Sequence, residues 1–148
     1  MSIADPIEFR VLNEIGIIDQ LASHTFTQVL PRAMTQAQFN LLNHFVRLGH
    51  EFCTPAQLAN AFQVSRPTMS NTLARLERAG LVSIAADPDD GRGKRVSITA
   101  KGRAMRDECI ERLAEPLAEM QAKVPRELLT ELLPRLTQLR EILDHMRD

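Results

Sequence analysis

The run from Thr54 to Ile98, TPAQLANAFQVSRPTMSNTLARLERAGLVSIAADPDDGRGKRVSI, decides the fold. It predicts two short helices joined by a tight turn, followed by a two-stranded ribbon. Thr54 caps the first helix, Pro55 suits its first position, and Gln57 completes a capping box. Leu58, Ala59 and Phe62 form its apolar stripe. Ser65 opens the second helix as N-cap, and Pro67 falls in the first turn, where a missing N–H costs nothing. Met69, Leu73 and Leu76 recur at i, i+4 and i+7, so one narrow face is buried. Gly80 follows as a left-handed stop, with Leu81 packing back on the last turn. Helices joined by so few residues must cross steeply, which is the helix-turn-helix shape.

The rest of the second helix carries the chemistry. Arg66, Thr68, Ser70, Asn71 and Arg75 point away from the apolar stripe or flank it. Small polar groups and Asn suit base edges in a major groove, and Arg suits guanine or phosphate. In the ribbon, Val82 and Ile84 alternate with Ser83 and Ala85, and Val96 and Ile98 with Ser97 and Thr99. Between them DPDDGRGKR is rich in turn formers and basic at its end. A tip holding Arg92, Lys94 and Arg95 is able to reach a minor groove or phosphates.

Together, VSRPTMSNTLARLERAGLV and DPDDGRGKRVSITAKG resemble the MarR (multiple antibiotic resistance regulator) family of winged-helix transcription factors. The family wing typically runs Asp-Pro-x-Asp-Arg-Arg-x-x-x-Val-x-Leu-Thr-x-x-Gly. The chain keeps Asp87, Pro88, Asp90, Arg92, Val96, Thr99 and Gly102, with Gly91 in place of the first Arg and Ile98 in place of the Leu. The resemblance implies that Arg92 enters the minor groove and that Asp90 helps to orient it. Losing the Arg at 91 weakens or re-aims the wing contact. Asn71 stands where an Arg is common, so the base preference should differ. The resemblance also implies a two-fold dimer with interlocked terminal helices, and an effector, often a small aromatic acid or phenol, bound between those helices and the DNA-binding lobe.

Composition agrees with a local rather than a bulk nucleic-acid binder. The net charge is −1 over 148 residues. Residues 66–103 hold eight basic against four acidic side chains, while the remainder holds ten against fifteen. Positive charge is thus concentrated where the reading elements lie, and the acidic remainder opposes nonspecific adhesion. Two cysteines without a Cys-x-x-Cys pair, no signal peptide and no long apolar run point to a cytoplasmic protein that no membrane holds.

The flanks read as long helices. Ile7 to Leu30 carries an apolar stripe so wide that it needs two covering surfaces, its own subunit and a second one. Thr35 and Gln38 form another capping box, opening a bracing helix that runs to Gly49. A helix starts near Ala100, where Pro116 should bend or interrupt it. A last helix spans Arg126 to Met146, with a second kink expected at Pro134. The fold class is mainly α with a small β-wing. The expected organisation is an N-terminal dimerisation helix over 1–34, a winged helix-turn-helix over 35–99 and C-terminal dimerisation helices over 100–148. Such a homodimer presents two reading helices one turn apart to a pseudo-palindromic double-stranded DNA site.

The expected DNA-binding set is Thr54, Ser65, Arg66, Pro67, Thr68, Ser70, Asn71, Arg75, Asp90, Arg92 and Lys94. His24 and Arg106 are candidate contacts for a small aromatic or phenolic effector. Cys53, next to a helix N-terminus, is the better of two candidate redox thiols, ahead of Cys109, and a cysteine-sensing repressor on the same scaffold is the alternative function. His44, His50, Glu51 and Cys53 are close enough in sequence to consider zinc. Their spacing matches no zinc signature and HEFC lacks the second His of HExxH, so neither a metal nor any other cofactor is expected. No Ser/His/Asp order, paired-carboxylate motif, phosphate loop or nucleotide fingerprint suggests an enzyme. A winged helix serving protein contact alone would not need Arg66, Asn71 and Arg92 on one surface.

Overall fold

A computed structural model describes residues 3–147. The helices are α1 (Ile7–Val29), α2 (Gln36–Leu48), α3 (Pro55–Phe62), α4 (Arg66–Arg78), α5 (Ala100–Arg112), α6 (Ala114–Lys123) and α7 (Arg126–His145). The strands β1 (Val82–Ala86) and β2 (Lys94–Ile98) lie between α4 and α5. They pair antiparallel, with Val82 opposite Ile98 and Ile84 opposite Val96. This is the mainly helical, winged arrangement expected from the sequence.

Local signals set the boundaries. The Thr35 and Thr54 hydroxyls accept the Gln38 and Gln57 backbone N–H groups, and both glutamine side chains accept the cap N–H in return. Each reciprocal cap satisfies two donors that the first turn leaves open. Gln63 ends α3 in the left-handed region at φ 52°, and the chain re-enters helix at Ser65, whose hydroxyl accepts the Thr68 N–H at 3.2 Å. Only Val64 therefore separates the two helical caps, and α3 and α4 pack directly on each other.

The core sits beneath α4. Met69, Leu73 and Leu76 are buried against Leu41, Leu42 and Phe45 of α2, Leu58 of α3, and Val82 and Val96 of the ribbon. Burying a large apolar side chain contributes roughly 1.5–3 kcal/mol, so this shared cluster fixes the reading helix far more firmly than helix propensity does. The wing root has an additional tie. Cys53 and Val96 exchange both backbone hydrogen bonds, at 2.9 and 2.8 Å, which anchors β2 to the residue just before the α3 cap.

The far end of α4 is clamped by the start of α5. Gly80 stops α4 at φ 74°, and the Leu81 N–H returns to the Leu76 carbonyl at 2.9 Å. The carbonyls released there are claimed one after another. Lys101 Nζ donates to Ala79 O at 2.9 Å, Thr99 Oγ1 to Gly80 O at 2.7 Å, and the Thr99 N–H to Leu81 O at 3.1 Å. Gly102 makes the docking possible, since a Cβ there would lie 2.1 Å from Leu81 O.

The chain divides into two compact units, the first ending at Arg112 and the second beginning at Leu113. Helix α5 thus stands with the winged lobe rather than with the later helices, because it docks on α4 and packs against α2. The expected interruption occurs at Leu113, between α5 and α6. Pro116 lies in the first turn of α6, and its ring would meet the carbonyl of Arg112, the last residue of α5. Pro134 is accommodated inside α7, which remains one helical element through it. No residue of α1, α6 or α7 among those described is buried.

Candidate nucleic-acid interface

Helix α4 presents its polar face as the periodicity requires. Arg66, Pro67, Thr68, Ser70, Asn71 and Arg75 are exposed, while Met69, Leu73 and Leu76 beneath them are buried. The first turn is rigid. Ser65 both caps the helix and donates its hydroxyl to Thr68 Oγ1 at 2.8 Å, so Ser65 and Thr68 position one another. Thr54 likewise serves first as a cap.

The wing closes on this turn. A cleft of about 510 Å³ is walled by Thr54, Pro55, Arg66, Ser70, Asp87, Asp90, Arg92 and Lys94, among others. It brings together six of the expected contacts, from α3, α4 and the ribbon tip. Among the described residues no carboxylate lies within ion-pair distance of Arg66, Arg75, Arg92 or Lys94. Four cations outside any such ion pair on one lobe favour an anionic polymer.

The wing tip is held by its own acids. Asp90 Oδ1 accepts the Arg92 backbone N–H at 3.1 Å, and Asp90 O accepts from Gly93 at 2.9 Å. Asp90 therefore fixes the backbone from which Arg92 projects. Asp87 Oδ1 caps Asp89 N at 3.0 Å, and the Asp87 N–H donates to Gly93 O.

Arg95 corrects one expectation. It is not a free wing cation. Its Nη2 donates to Asp89 Oδ2 at 2.9 Å, its Nε lies 3.2 Å from Asp87 Oδ1 without a hydrogen bond, and its guanidinium sits 4.0 Å above the Phe52 ring. Register explains the difference: Arg95 pairs with Ala85 on the face opposite Val96 and folds back over the ribbon root. It stiffens the wing instead of reaching outward.

The two candidate effector contacts also have other roles. Arg106 binds Asn43 Oδ1 with both Nε and Nη2 at 3.1 Å and so fastens α5 to α2. His24 is exposed on α1, with its Nε2 3.0 Å from Gln28 Nε2. A different cavity, of about 490 Å³, lies among the α1–α2 turn, α4 and α5, and neither residue lines it. Its walls are Pro31, Met34, Leu76, Leu81 and Met105, with Gln38, Arg75 and Lys101 as polar points. Its volume suits a small ligand, and its few convergent polar groups suit an acid. Sequence reading missed it because its walls are scattered from residue 31 to residue 105.

Neither thiol has the surroundings of a sensor. Cys53 and Cys109 are both buried, and burial pushes both thiols above their ordinary value, with the Glu108 charge adding to the effect at Cys109. A reactive thiol needs the reverse shift and an exposed, electropositive place. Near Cys53, burial holds the His44 imidazole below its usual range, and Arg47 and His50 add to the shift.

Residues 34–93 match the family model described as MarR family. That stretch, about two fifths of the chain, is similar to the MarR family. Over most of its length the chain is similar in fold to solved transcriptional regulators. Wild-type MarR from E. coli superposes with a TM-score of 0.74 at 23% identity, covering 93% of this chain and 98% of that one. The transcriptional regulator BldR from Sulfolobus solfataricus gives 0.70 at 27% identity, covering 88% and 95%. BpsR from Bordetella bronchiseptica, whose DNA binding is regulated by 6-hydroxynicotinic acid, gives 0.71 at 21% identity, covering 88% and 98%. No helix of the described chain is long and apolar enough to cross a membrane.

Proposed function

We propose that the protein is a homodimeric, ligand-responsive transcriptional repressor acting in the cytoplasm on a pseudo-palindromic operator. The observation that carries this reading is the cleft in which α4 and the wing tip bring Arg66, Ser70, Arg92 and Lys94 together, its three cations in no ion pair among the described residues. Each subunit sets Arg66, Thr68, Ser70 and Asn71 against base edges. Arg75 and Lys94 meet phosphates, and Arg92 enters the adjacent minor groove.

The apolar faces support the dimer. On α1, Ile7, Leu12, Ile18 and Leu21 are each more than half exposed, and on α7 Leu133 and Ile142 are too. Exposed apolar surface spread along long helices is unstable against association. A second subunit covering it would also supply the second reading helix, about 10 bp along the duplex.

Effector control follows from the cavity that Arg75 and Lys101 share. Lys101 holds the end of α4 through Ala79 O, and Arg75 is assigned to a phosphate. A small aromatic acid drawing both cations inward would loosen the α4 clamp and remove a DNA contact. Such a ligand weakens DNA binding only to the extent that it prefers the loosened state, and coupling of about 1–3 kcal/mol corresponds to roughly 5–150-fold. BpsR, with its regulating pyridine acid, offers a parallel.

Selection of bound DNA from a random pool, read by sequencing, tests the proposal. An inverted repeat with half-sites about 10 bp apart is expected. Recovery of no enriched motif, or of a single half-site bound by a lone subunit, would refute it.

A further inference from the structure

Outside the reading surface, one cluster of metal-binding side chains is brought together by the fold. His44 comes from the last turns of α2, His50 from the loop after it, and Cys53 from the bridge that pairs with β2. One donor atom from each lies within 4.8 Å of the others. All three line a cavity of about 340 Å³ that also touches Leu48, Phe52 and Gln57. His50 is exposed, His44 half-buried and Cys53 buried, so the donors run from solvent inward.

Packing explains only part of this arrangement. His44 lies 5.2 Å from the Phe62 ring, an ordinary aromatic contact. The ring of His50 stands 5.9 Å from that of His44. Two imidazoles and a thiol converging on one cavity form a donor set that suits a borderline-soft divalent ion. Tetrahedral Zn–N and Zn–S bonds require donors roughly 3.5 Å apart. The present separations are no more than 4.8 Å, and a rotation of the exposed His50 side chain can shorten them.

We infer that His44, His50 and Cys53 form a zinc site with a fourth position left to water. The proposal is independent of the DNA-binding reading, since it concerns donors on a different cavity. Its position gives it a consequence for that reading. Cys53 is fixed to Val96 of the wing by two backbone hydrogen bonds and immediately precedes the Thr54 cap of α3. Binding a metal there would tie the end of α2 to the root of the wing and to the start of the helix-turn-helix. Binding takes up the ion as the Cys53 proton leaves to solvent, with no change of oxidation state.

Cobalt(II) and zinc titrations of the purified full-length chain test this. One equivalent of cobalt should give the near-ultraviolet sulfur-to-metal band and the visible bands of a tetrahedral thiolate site, and zinc should displace it. His50→Ala alters an exposed loop side chain and leaves the core intact, so it separates ligation from folding. Removing an outer-shell partner already costs about 10–100-fold in metal affinity, so His50→Ala should cost more than about 100-fold. Cys53→Ser should abolish the sulfur band, with circular dichroism confirming that the variant is folded. No cobalt binding, a spectrum without the sulfur band, or unchanged zinc affinity in His50→Ala would overturn the site. Operator affinity measured with and without zinc then reports whether the site bears on DNA binding.

Discussion

Gly102→Ala is expected to destabilise the winged lobe by about 3 kcal/mol, at the upper end of what overpacking usually costs. The cause is specific. The added methyl would lie 2.1 Å from Leu81 O and 2.8 Å from Ile98 Cγ1. The Ile98 side chain can turn aside, but the Leu81 carbonyl cannot. It accepts the Thr99 N–H at 3.1 Å, while its own N–H is bound to Leu76 O. Relief requires α5 to back away from α4, which would release the three carbonyls at the end of the reading helix. In a chain of this length about 3 kcal/mol corresponds to a fall of melting temperature on the order of 10 °C. Thermal unfolding followed by circular dichroism reads the effect. A melting temperature within about 2 °C of the wild type would mean that α5 and α4 do not approach as described.

Arg92→Ala should weaken operator binding without touching stability. Arg92 is exposed and has no acidic partner among the described residues, and its backbone is positioned by Asp90. Losing one arginine contact to a groove costs about 1–3 kcal/mol, and a dimer loses two such contacts. The expected loss is therefore at least about 30-fold in affinity, at roughly 1.4 kcal/mol per factor of ten. The salt dependence of binding should also become shallower, because fewer counterions are released. Fluorescence anisotropy at several salt concentrations measures both. Unchanged affinity and slope would remove the wing from the interface. Arg95→Ala is the instructive contrast, since Arg95 spends its charge on Asp87, Asp89 and the Phe52 ring.

What the sequence made legible was local. The Thr35–Gln38 and Thr54–Gln57 boxes span three residues each, and the stop at Gly80 depends on one backbone conformation. The burial of Met69, Leu73 and Leu76 follows from helical spacing alone. The rest required contacts between distant residues. Arg95 looks like its neighbours Arg92 and Lys94 until Phe52, far back in the chain, is seen beneath it. Gly102 fits a family pattern, but its physical reason is a carbonyl 21 positions earlier. His44, His50 and Cys53 match no spacing signature because a helix end, a loop and a bridge bring them together rather than one motif. Pro116 and Pro134 look equivalent in sequence. One lies where a helix has just restarted, and the other is absorbed within a helix that continues.

The central claim is that the exposed face of α4 reads base edges, and Asn71 tests it most directly. Asn71 is exposed one turn into the helix, and its side chain makes no hydrogen bond among the described residues. DNA selected from a random pool by the wild type and by Asn71→Ala should yield the same inverted repeat, except at one symmetric pair of positions where the variant loses its preference. An identical motif from both proteins, with every position equally sharp, would contradict the placement of α4 in the groove.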